Sequence, residues 1–206
     1  MAYGAQAGTN YDGLSIASLA PGIYEGYELK EVKLERTTKA DGTQGKQILT
    51  FLFDGPKGPH QHTEYEVDDA DATKKASKEA NVFKRVAHIA TKYVNRSVVD
   101  SANFNTFAEL GQFIVNTLSP VIKGVKVNIK VMGNVYNGEA KSSFAGYPPF
   151  ISRPGAADYK PLFFSDRENA ENAKYFNHVN SATPDKEQST ASSTSASTGA
   201  KVDSDF

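Results

Sequence analysis

The 206-residue chain contains no cysteine. That absence excludes a disulfide framework, a thiolate zinc site and a cysteine nucleophile together. The N-terminal stretch Met1-Ala-Tyr-Gly-Ala-Gln-Ala-Gly8 has neither a basic region nor an apolar run, so no signal peptide is expected there. Apolar runs fall far short of a membrane span, and a cytoplasmic, soluble chain is the expectation. Nucleophile-elbow, zinc-protease and kinase-type elements are missing as well. The loop Gly55-Pro-Lys-Gly-Pro59 lacks the Gly-Lys-Ser/Thr ending of a phosphate-binding loop. His60 and His62 stand two apart with no third metal ligand at a recognisable spacing. The acids Glu64, Glu66, Asp68, Asp69 and Asp71 lack the glycine of an EF-hand loop. The expectation is a non-enzyme with no cofactor and no metal.

A net charge of −1 hides an uneven distribution. Between 74 and 98, Lys74, Lys75, Lys78, Lys84, Arg85, Lys92 and Arg96 face Glu79 alone. Between 123 and 160, Lys123, Lys126, Lys130, Lys141, Arg153 and Lys160 face only Glu139 and Asp158. Two basic blocks of this kind suit an anionic partner, and the balancing acids lie elsewhere.

Three regions follow from composition. Residues 1–20 are small and polar and read as an arm, 21–180 carry the folded domain, and 181–206 are a low-complexity, disordered acidic tail. Pro21-Gly22 opens a first strand. Tyr27 and Leu29 share one parity and Val32 and Leu34 the other, which places a bulge or bend between them. Thr37–Lys46, with Asp41-Gly42, reads as the turn into Gln47–Asp54, where Leu49, Phe51 and Phe53 share a face. A third strand, His62–Val67, alternates Tyr65 and Val67 with Glu64 and Glu66.

Helical spacing then takes over for an insertion at 70–120. Val82, Val86, Ile89 and Tyr93 form one stripe, preceded by acids that suit the positive end of a helix. Thr106 and Glu109 make a capping box before the stripe Phe107, Leu110, Ile114 and Leu118. Val125, Val127, Ile129 and Val131 alternate with Lys126, Asn128, Lys130 and Met132 as a strand, joined through Asn137-Gly138 to Glu139–Phe144. Three strands, helices, then two strands is the order of an OB-fold, a five-stranded barrel with helices between strands 3 and 4. A generic α+β domain with an open sheet is the alternative.

The candidate binding residues are aromatic and basic. In 144–164, Phe144, Tyr147, Phe150, Tyr159, Phe163 and Phe164 are interleaved with Arg153 and Lys160 among prolines and glycines. Phe150, Phe163 and Phe164 are assigned to closing one end of the barrel. Tyr147 and Arg153 are assigned to a ligand, since exposed rings beside cations stack on unpaired bases. Lys126 and Lys130 lie on the face of their strand opposite the valines and, with Tyr136, form a phosphate-tracking row. Lys84, Arg85, Lys92 and Arg96 form a cationic helix face. The tail places Asp203, Asp205 and Phe206 after a stretch of only Ser, Thr, Ala and Gly, an aromatic hook flanked by carboxylates.

The run Gly22-Ile-Tyr-Glu-Gly-Tyr-Glu-Leu29, the early hairpin, the helical insertion, and Asn137-Gly138 followed by Tyr147-Pro-Pro-Phe-Ile-Ser152 resemble phage-encoded single-stranded DNA-binding proteins. The tail resembles the acidic, phenylalanine-ended C-terminus of bacterial and phage proteins of that function. The resemblance covers roughly 20–155 and the last six residues, 201–206. It implies an OB-fold and sequence-independent single-stranded DNA binding in phage replication, recombination and repair, in the host cytoplasm. It also implies contact with replication proteins such as a polymerase or helicase through Asp203, Asp205 and Phe206, and leaves self-association on DNA open. A strand-annealing recombination mediator, or an assembly protein with no nucleic-acid role, are the competing classes.

Overall fold

A computed structural model describes residues 19–182. Six strands and four helices follow one another along the chain. They are β1 (Gly22–Thr38), β2 (Gln44–Asp54), β3 (His60–Tyr65), α1 (Ala72–Ala90), α2 (Arg96–Asp100), α3 (Phe107–Leu118), β4 (Lys126–Tyr136), β5 (Glu139–Phe144), β6 (Ile151–Ser152) and α4 (Asp166–Ala182). The strands form one antiparallel sheet in the order β3-β2-β1-β4-β5, with the short β6 on β4. The helices α1, α2 and α3 fall between β3 and β4, where the sequence places them.

The long strand β1 organises the sheet. Its first half pairs with β4, from Gly22 opposite Val131 to Glu28 opposite Lys126, and its second half pairs with β2. The register shifts between Leu29 and Glu31, where the change of apolar parity locates a bulge. Both hairpin strands run further into the first turn than the polar composition of 37–46 suggests, leaving 39–43 as the connection. In the second hairpin Asn137 and Gly138 both have positive φ, 52° and 75°. That is the backbone a two-residue turn needs to match the twist of its strands, and it explains the Asn-Gly pair.

One apolar core lies between the inward face of the sheet and α1 and α3. It contains Tyr27, Leu29 and Val32 of β1, Leu49, Phe51 and Phe53 of β2, and Val127, Ile129 and Val131 of β4. Val82, Val86 and Ile89 of α1 and Leu110, Ile114 and Leu118 of α3 meet them with the helical spacing legible in the sequence. Asp71 caps α1, accepting from the N–H groups of Thr73 and Lys74. Thr106 caps α3, while the Glu109 carboxylate reaches back to the Asn105 N–H at 2.7 Å, one residue earlier than a standard capping box.

The third strand turns an acidic residue, not an aromatic one, to the core. Glu64 is buried and Tyr65 is 57% exposed. The pairing explains it: His60 lies opposite Phe53, His62 opposite Phe51 and Glu64 opposite Leu49, so these three polar residues share the core face of β2. No backbone ladder closes the sheet from β3 to β5 among the described residues. The gap is spanned by side chains instead. The Phe144 ring at the end of β5 stacks on His62 at 4.9 Å and packs on His60 at 4.9 Å and Phe53 at 5.3 Å.

The helix α4 has no counterpart in the periodicity of the sequence, because its inward face is polar. Glu168, Asn172 and Tyr175, spaced four and three apart, lie against β4. Asn172 Oδ1 accepts the Gly133 N–H at 2.9 Å. That N–H points to the side where β1 would continue, but β1 begins at Gly22 opposite Val131. The asparagine therefore replaces a missing strand partner. Gly133 is required by the same contact: a Cβ there would come within 2.6 Å of Tyr175 and 2.5 Å of Pro21. Replacing Asn172 with alanine leaves a buried N–H unpaired and is expected to cost about 1–3 kcal/mol in denaturant unfolding. An unchanged midpoint would show that α4 is not anchored through this bond.

Candidate nucleic-acid interface

One face of α1 runs alongside the segment that connects β5 to α4. Arg85, His88 and Lys92 recur at three and four residues and meet 147–158 in order. Arg85 interacts electrostatically with Tyr147. His88 packs edge-on against the Phe150 ring at 4.9 Å, and its Nε2 accepts the Phe150 N–H at 3.4 Å. At the C-terminal end of the helix, Arg153 donates to the Lys92 carbonyl at 3.1 Å, and the Lys92 amine stands 3.5 Å from Asp158. The strip thus brings together Arg85, Lys92, Tyr147 and Arg153, four of the residues singled out by composition. Tyr147 is 71% exposed and is the ring most open to a ligand along it.

Beneath the strip lies a charged knot. Glu64 accepts two hydrogen bonds from Arg85, both 2.5 Å, and one contact from His62 Nε2 at 2.9 Å. Burial opposes ionisation of Glu64, yet the bonds from Arg85 and His62 outweigh it and hold its pKa below the usual carboxylate value. The same hydrogen bond, against desolvation, raises the pKa of Arg85. Arg85 is therefore a fixed guanidinium with one edge engaged, not the free cation that composition suggests. The bidentate fork fixes its plane.

Other assignments separate. Lys130 is corrected: it is buried, its amine 2.6 Å from Glu168 and 3.2 Å from the Phe163 carbonyl. The face opposite the valines is solvent-free at that point because α4 covers it. Lys126, at the exposed start of β4, stands opposite Glu28, so the expected row of Lys126 and Lys130 does not form. Tyr136 is exposed at the tip of the second hairpin, beside Lys141. Lys84 is exposed on α1, and Arg96 pairs with Asp100 at 2.9 Å on α2. Of the rings assigned to closing one end of the core, Phe150 is buried, whereas Phe163 is 66% exposed. Asp203, Asp205 and Phe206 lie outside the described residues.

The residues that organise the strip, His62, Glu64 and His88, are absent from the sequence-based assignment. For His62 and Glu64 the signal is the alternation His60-x-His62-x-Glu64, which places those residues on one face of a strand. Read as acids on a solvent face, that alternation points the wrong way. No helix among the described residues is long and apolar enough to cross a membrane. Comparison with protein-family models, with curated protein sequences and with solved structures gives no match.

The buried imidazoles make the fold acid-sensitive. Burial, reinforced by His62 beside one and Lys92 beside the other, lowers His60 and His88 from 6.5 to about 4. Between those values the unfolded chain binds protons that the folded chain does not, so stability falls as pH falls from about 6.5 to about 4. The lowered pKa of Glu64 acts in the same direction at the acid end. Urea unfolding at pH 7, 5.5 and 4.5 should show a steadily falling midpoint. His60→Phe should flatten part of that slope while keeping the ring contact with Phe144. A midpoint independent of pH over this range would refute the account.

Proposed function

We propose that this chain binds single-stranded DNA with little base selectivity and protects it during phage replication, recombination and repair. The reading rests on one observation above the rest: the highly exposed ring of Tyr147, on a segment packed along the α1 face that carries Arg85 and receives Arg153. A ring open to solvent offers a stacking surface to any base, and neighbouring cations follow the phosphates. The arrangement of the strands supports it. The strand order β3-β2-β1-β4-β5, with helices between β3 and β4, matches the order of an OB-fold, and the ring contact of His62 with Phe144 across the open side between β3 and β5 supports that reading. On this reading the protein is a binding module and not an enzyme.

The proposal separates Tyr147 from Lys130. Tyr147→Ala should weaken binding to oligo-dT by roughly 5- to 150-fold, the equivalent of about 1–3 kcal/mol of stacking, with thermal unfolding unchanged. Lys130→Ala should instead lower the unfolding temperature, because it leaves Glu168 and the Phe163 carbonyl without their partner. Affinity should also fall linearly with salt on a log–log plot as counterions are released. Fluorescence titrations of both variants decide the matter. Unchanged affinity in Tyr147→Ala, or tighter binding to duplex, overturns it.

The tail extends the proposal to partners. Deleting 201–206 should leave single-strand affinity unchanged or slightly higher and abolish capture of a replication protein such as a polymerase or helicase. The acids Asp203 and Asp205 would compete with phosphate for the strip at an effective concentration of about millimolar, while the Phe206 ring anchors the partner. Equal recovery of such a partner by the intact and shortened chains, measured in pull-downs beside the DNA titrations, would leave the segment without this role.

A further inference from the structure

A second concave site lies on the face of α1 turned away from 147–158. It is a cavity of about 440 Å³ between the end of β3, α1 and the α2–α3 connection. Phe83, Phe104 and Phe107 form its apolar walls, with the Phe83 and Phe104 rings 6.3 Å apart and Phe113 supporting Phe104 from behind at 5.1 Å. Three charged residues complete it: Glu66, Glu79 and Lys75. Lys75 stands 3.9 Å from Glu79, both half-exposed, a contact that solvent screens. The carboxylates outnumber the amine, so the lining carries an excess of negative charge beside aromatic faces.

We propose that this cavity binds an arginine or lysine side chain presented, next to an apolar residue, by a basic segment of a partner protein. Charge selects the ligand. The faces of phenyl rings carry negative electrostatic potential and attract a cation, and Glu66 and Glu79 add to that field, whereas an acidic peptide would be repelled by both. The apolar walls match the hydrocarbon stem of such a side chain, or a neighbouring aromatic residue, while the guanidinium or ammonium remains near the carboxylates. A protein source follows from the mouth. Asn103, Asn105, Thr106 and Glu79 around it are exposed, so a side chain can enter while its own backbone stays outside. The site uses none of the residues of the Tyr147 strip, and it stands or falls separately from the proposed DNA binding.

The test uses the full chain and two capped dipeptides, acetyl-Phe-Arg-amide and acetyl-Phe-Glu-amide, followed by amide chemical shifts. The arginine peptide should give saturable shifts centred on Glu66, Phe83 and the Phe104–Phe107 turn, and the glutamate peptide should give none. Glu66→Gln keeps the oxygen that accepts the Gln47 N–H at 2.9 Å, so the fold is retained. Combined with Glu79→Gln, it should weaken the arginine peptide by roughly tenfold. Phe104→Leu should weaken it while keeping the wall apolar. Benzyltrimethylammonium serves as a free organic cation and should bind more weakly than the peptide. Equal response to the two peptides, shifts centred elsewhere, no response, or tighter binding of the free cation would each overturn the proposal.

Discussion

The carboxylate of Glu64 is the point on which the arrangement of β3, α1 and the 147–158 segment turns. Placed by cross-strand pairing on the core side of β3, it is charged where water is scarce, and it is satisfied only because Arg85 and His62 both reach it. A buried carboxylate without those bonds would destabilise the fold by several kcal/mol or take up a proton. The fork therefore fixes the rotation of α1 about its own axis. Arg85 has to face β3, which brings His88 and Lys92, one and two turns further on, against Phe150, Arg153 and Asp158.

Rings also bridge the gap between the unpaired edges: His60 and His62 project from the core face of β3 onto Phe144 at the end of β5. His88 and Phe150 continue the stack toward α1. An imidazole serves here as an aromatic spacer that can still accept or donate a bond. Burial ties His60 and His88 to their neutral forms.

A polar interaction also decides the opposite side of the sheet. The helix α4 docks through Glu168 on Lys130 and Asn172 on Gly133, with Tyr175 covering the glycine. Polar contacts of this kind contribute modestly to net stability, but they fix one orientation, because any other leaves a buried amine or N–H unpaired. The Lys130 amine and the Phe163 carbonyl also hold the chain entering α4, which leaves the Phe163 ring facing solvent.

Local periodicity by itself determined the strands β1, β2, β4 and β5, the bulge in β1, the Asn137-Gly138 turn, and the apolar stripes of α1 and α3. Each of these depends on residues within a few positions of one another, where alternation or helical spacing records which side chains share a face. Exposure of Tyr147 was legible too, since the prolines beside it keep the segment out of regular structure. The helix α4 opens on Ser165-x-x-Glu168, with the Ser165 N–H bonded to Glu168 at 2.8 Å, but no apolar period follows to mark it in the sequence. What period cannot record is which face a distant element covers. Lys130 meets Glu168 across 38 positions and Arg85 meets Glu64 across 21. Only the tertiary structure decided that the first cation is buried, that the second is fixed rather than free, and that the acidic side of β3 points inward, because the partners that make those charges tolerable come from elements remote in the chain.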